Sequence, residues 1–104
     1  MDTDDLSKEA YNGILTEAGK FNRDLTLQFG LLASNCENDD DYLNQTEALI
    51  TEWLNVEDFE DIIDDIFFGE EVNLKLFRNV LKKILGNISK IRKTAMDKRT
   101  FEDW

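Results

Sequence analysis

Seven apolar residues, Leu74, Phe77, Leu81, Ile84, Ile88, Ile91 and Ala95, follow one another at alternating steps of three and four. This spacing keeps one stripe of a helix turned toward a neighbouring helix. It predicts a long helix from about Val72 to about Lys98. Val80 and Leu85 widen the apolar face in the first half of that helix. Beyond Gly86 only Ile88, Ile91 and Ala95 remain, so the second half is not expected to be deeply buried. The stripe keeps its register across Gly86, which argues for continuity or a bend there. A stripe of this length needs a partner, and the start of the chain supplies one. Tyr11, Ile14, Ala18, Phe21, Leu25 and Leu32 share a face, with Gln28 in the remaining position and Leu6, Ala10, Leu15 and Phe29 widening it. They predict a first helix over residues 5 to about 33, capped by Asp4 or Asp5, with a kink or early end near Gly30.

Two further helices fit between these. One begins among Asp39, Asp40 and Asp41 and carries Tyr42, Leu43, Leu49, Ile50, Trp53 and Leu54 at helical spacing. Asn55 followed by Asp58 suits the cap of a short helix whose buried face is Phe59, Ile62, Ile63, Ile66 and Phe67, with Gly69 as its stop. The chain contains no proline, the strongest helix breaker. The expected fold is therefore all-α, an antiparallel bundle of about four helices, two long and two shorter, over residues 1–104 as a single helical domain. Phe101 and Trp104 are expected to dock the tail or to meet a partner.

Charge is distributed unevenly along this framework. Residues 1–73 hold three basic and 20 acidic side chains, a net of −17; residues 74–104 hold nine and three, a net of +6. The overall −11 opposes non-specific binding to nucleic acid phosphates and to anionic lipid surfaces, and favours encounter with a basic partner. Neither nucleic acid nor membrane is therefore an expected partner. Cys36 is the only cysteine, which excludes an intrachain disulfide and fits a reducing compartment. The start Met1-Asp2-Thr3-Asp4-Asp5 is not the basic opening of a signal peptide, and no apolar run approaches the roughly 20 residues of a membrane span. A cytoplasmic location is expected.

The absence of histidine excludes Ser-His-Asp and Cys-His chemistry within the chain and removes the usual zinc sites. There is no GxxxxGK[ST] loop and no GxGxxG fingerprint. The thiol of Cys36 has Glu37, Asp39 and Asp40 for neighbours, which disfavour a reactive thiolate. Carboxylates remain. Glu57, Asp58, Glu60, Asp61, Asp64 and Asp65 fall within nine residues that hold no basic side chain. Oxygen ligands of this kind suit Mg²⁺. The ExxE step of Glu57 and Glu60 superficially resembles that of all-α Mg²⁺-dependent nucleotide pyrophosphohydrolases. Such sites draw a second acidic pair from a neighbouring helix, and Glu47 and Glu52 are not spaced for it. Asn35, Glu37, Asp39 and Asp41 alternate as in a calcium loop but lack the central glycine, and position twelve is Thr46; capping explains them more simply. Lys82, Lys83, Lys90, Arg92, Lys93, Lys98 and Arg99 are read as offsetting the acidic body within the chain rather than as a nucleic-acid surface.

The expected function is that of a non-enzymatic interaction or regulatory module without cofactor or metal, comparable in charge and size alone to immunity proteins and other small acidic inhibitors. The residues proposed for contact are Glu57, Glu60, Asp61, Asp64 and Asp65, for a basic protein partner, and Ile88, Ile91 and Ala95. Those three could instead pair with their copies in a homodimer. The alternatives are a self-associating structural module and a metal-dependent enzyme acting on a nucleotide.

Overall fold

The computed structural model describes residues 6–57, 59–67 and 70–102, with residue 59 and residues 94–102 in backbone only. Among the described residues it is all-helical, with five helices and no strand. Helix α1 covers residues 8–21 and is composite: an α-helical turn Lys8–Ala10, a π-helical stretch Tyr11–Thr16 and an α-helical stretch Glu17–Phe21. Helix α2 is Arg23–Ser34, α3 Asp39–Asn55, α4 Phe59–Phe67 and α5 Leu74–Glu102. At 1.5 Å per residue α5 is about 43 Å long, and it sets the long axis of a molecule measuring 52 × 24 × 20 Å.

The first helix expected from the sequence is two helices. Asn22 is extended, with φ −161° and ψ 141°, and its side-chain oxygen accepts from the Asp24 amide at 2.7 Å. This is N-cap geometry, and it satisfies one of the donors a new helix start leaves unpaired. The apolar register survives the break, since Phe21 and Leu25 still face inward. α2 then runs through Gly30 to Ser34, so the interruption falls eight residues before the glycine where it was expected. The caps at Asp4 and Asp5, the residue Asp58 and the stop at Gly69 lie outside the described residues; Asn55, expected to open the short helix, is instead the last residue of α3, and Ser7 caps α1 by accepting from the Ala10 amide.

The π-helical stretch moves a second detail. A π turn holds more residues than an α turn, so the stripe slips by one position before it. Ala10 is fully buried, and Tyr11, expected in the stripe, is 47% exposed. In α5 the line Phe77, Leu81 and Ile84 is buried as the spacing predicts, while Leu74, at the first residue of the helix, is exposed. α5 passes through Gly86 without interruption.

One continuous core joins the elements. Its hub is Phe77 of α5. Its ring stacks on Phe21 of α1 at 5.6 Å, meets Phe67 of α4 edge-on at 5.4 Å and lies 6.3 Å from Trp53 of α3. Trp53 in turn contacts Phe29 of α2. The order of pairings gives the direction of α1 against α5. Gly13 lies against Ile91, Glu17 pairs with Lys83, and Phe21 stacks on Phe77. Residue numbers rise along one helix as they fall along the other, so the two are antiparallel. No described helix is long and apolar enough to cross a membrane.

Candidate functional site

α4 carries the acidic cluster. Successive residues on a helix turn by about 100°. Glu60, Asp64, Asp61 and Asp65 therefore span one arc of about 140°, and Ile62, Ile66, Ile63 and Phe67 span another on the opposite side. The apolar arc is the inward one: Ile63, Ile66 and Phe67 are buried and Ile62 is half-buried. All four acids are exposed. The aromatic contacts of Phe67 with Phe77 and Phe21 hold the helix at a set rotation, so the carboxylates are displayed outward as a group.

Glu57 is not part of that helix. α3 ends at Asn55, Val56 is extended, and Glu57 lies in a bend before α4 begins at Phe59. The ExxE step of Glu57 and Glu60 therefore does not fall on one helical flank, as its spacing suggested. Among the described residues no three Asp, Glu or Cys side chains converge as a cation would require. The arrangement does not fit the Mg²⁺ site considered from the sequence. The loop before α3 is occupied with capping. Asn38 accepts from the Asp41 amide at 2.8 Å, Asp41 accepts from Glu37 at 3.1 Å, and Asp39 accepts from the Ser7 amide at 3.2 Å. Cys36 is buried, and burial together with Asp41 raises its thiol pKa.

The second half of α5 is used inside the chain. Ile88 is fully buried, contrary to the expectation that residues beyond Gly86 would lie near the surface. The π-helical stretch of α1 packs against this half at Asn87 and Ile91. Gly13 there is so close that a Cβ would stand 3.0 Å from Ile91 Cδ1 and 3.3 Å from Asn87 Cβ. The Asn87 amide donates to the Gly13 carbonyl at 3.0 Å. Ile91 is half-buried against this junction, and the Ala95 side chain lies outside the described residues. Ile88 is therefore not available to pair with its copy in a homodimer.

Three ion pairs lie about the junction. Glu17 accepts from Lys20 at 3.1 Å and faces Lys83 at 3.3 Å. Burial alone would raise the Glu17 pKa, but the hydrogen bonds and charges of the two lysines outweigh it and hold the carboxyl below its ordinary value. Arg92 pairs with Glu47 of α3 and donates to Asn44. These contacts match the reading that the basic helix offsets the acidic body in cis. Lys98 and Arg99 fall outside the described side chains.

Between α1 and α5 an open groove of about 400 Å³ is lined by Glu9, Asn12, Gly13, Glu17, Asn87, Lys90 and Ile91. This junction is not legible in the spacing, because Gly13 lies outside the apolar stripe of α1; a residue without a Cβ there leaves room for another helix to approach. Neither a family model, nor a curated protein, nor a solved structure matches the chain.

Proposed function

We propose that this chain is a non-enzymatic interaction protein that docks a basic surface of a partner protein on the acidic face of α4, in the manner of an inhibitor or sequestering module. The observation that carries this is the outward display of Glu60, Asp61, Asp64 and Asp65 on a helix whose opposite side is anchored in the core. A pre-set array of like charges concentrates field, steers an oppositely charged partner and loses little side-chain freedom on binding. The antiparallel pairing of α1 with α5 supports a body in which the helices form one antiparallel bundle that carries this face. The single thiol Cys36 supports work in a reducing compartment such as the cytoplasm.

The test is co-purification from lysate with the wild type and an Asp61→Lys/Asp64→Lys/Asp65→Lys variant. Circular dichroism would verify that the variant, altered only at exposed positions, keeps its helix content. A partner held by the wild type at low salt, released at high salt and absent from the variant is the expected result. No partner at low salt, or a partner retained by the variant, sinks the proposal.

A further inference from the structure

The outward side of α5 is as uniformly basic as α4 is acidic. From Leu74 to Lys93 the helix holds no carboxylate, and Glu70 and Glu71 stand before it. The buried line is Phe77, Leu81, Ile84 and Ile88. At about 100° per residue, the opposite direction is held by Lys75, Lys82, Gly86 and Lys93, with Arg78 and Lys90 to either side. All six are exposed. The three central lysines make no ion pair among the described residues, whereas Lys83 and Arg92, turned toward α1 and α3, pair with Glu17 and Glu47. Neutralisation in cis accounts for the flanking cations and leaves the central line unexplained. Helix stability does not explain Lys75 either, because a cation opposes the N-terminal end of the helix dipole. Lys75 sits in the first turn, beside Asn73, whose side chain accepts from the Leu76 amide, and that turn has no acidic residue. A cation that runs against the dipole, at the head of a line of lysines without ion pairs among the described residues, points to a contact outside the chain.

We propose that this face of α5 docks a short carboxylate-rich segment of a partner protein. From Lys75 to Lys93 the line is about 27 Å long at 1.5 Å per residue. Lysines are point charges on flexible stems, which suits carboxylates presented at variable geometry. A nucleic-acid strand fits less well. The face has no aromatic side chain on which a base could stack. A strand would also continue past the lysines into the field of a body carrying −17 over residues 1–73. A second copy would bring an acidic α4 but also its own net −11, which the acidic body of the first repels. A short acidic segment on a neutral or basic partner meets neither obstacle. This surface lies on a different helix from the acidic face and does not depend on it.

Fluorescence anisotropy with a labelled peptide of about ten glutamates tests this, using the full chain at about 20 mM and about 300 mM salt. Binding at low salt that weakens at least about tenfold at high salt is expected. Lys75→Glu/Lys82→Glu/Lys93→Glu should lose at least about tenfold at low salt, and the corresponding arginine variant should keep the affinity. Lys8→Glu/Arg23→Glu, which adds negative charge elsewhere, should lose far less than the triple reversal. Failure of the folded wild type to bind the peptide, or equal losses from the two sets of reversals, overturns the proposal. So does tighter binding of a duplex oligonucleotide than of the peptide, or sedimentation showing that the low-salt protein associates with itself instead.

Discussion

Glu17 shows how one side chain ties two helices together and to pH. Its carboxylate lies in the α1–α5 junction between Lys20 and Lys83, and the two lysines keep its pKa below the ordinary 4.5. A carboxyl lowered in the folded state stabilises that state above its unfolded pKa and loses the effect as pH falls through the folded one. The wild type should therefore exceed Glu17→Gln in stability at pH 7, and the difference should shrink as the pH is taken below 4.5. Urea unfolding of both proteins at neutral pH and near pH 3 measures this, and a difference that is the same at both refutes it. The sequence offered no reason to single out Glu17. Its charge was visible, but its partner on α5 is 66 residues away, and only packing brings the two together.

At the scale of elements, Asn22 reverses the role its surroundings suggest: it sits inside an unbroken apolar stripe and ends a helix. Gly86 is helix interior, as the unbroken register across it predicts. Periodicity reports which residues face inward. It does not report whether the backbone between them is continuous. Asn22→Ala should cost about 1 kcal/mol by removing the cap of α2, read as a lowered denaturant midpoint with an unchanged slope; an unaltered midpoint would show that the cap contributes nothing. A Cβ at Gly86 would meet nothing within 4 Å. Gly86→Ala should accordingly raise stability by roughly 0.5–1 kcal/mol, since alanine loses less backbone freedom than glycine in a helix. A loss instead would place α5 under a constraint that its exposed position does not show.

For the whole molecule the hub is Phe77. It is fully buried and makes ring contacts with α1, α3 and α4. Phe77→Ala should cost about 3–5 kcal/mol, a large share of the roughly 5–15 kcal/mol that holds a typical domain together. Thermal unfolding followed by fluorescence of Trp53, which packs beside it, gives the measure, and a cost under about 1 kcal/mol would show that the core does not centre there. The sequence alone determined that the chain is helical, most of the residues of α3 and α4 and of the first half of α5 that face inward, and that acid is concentrated before residue 74 and base after it. These follow from local spacing and from counting, which need no partner element. Tertiary structure decided the break at Asn22, the close passage of α5 over Gly13 and the burial of Ile88. Each of these depends on what lies opposite a residue in space, and a glycine or an isoleucine carries no record of that in its own neighbourhood.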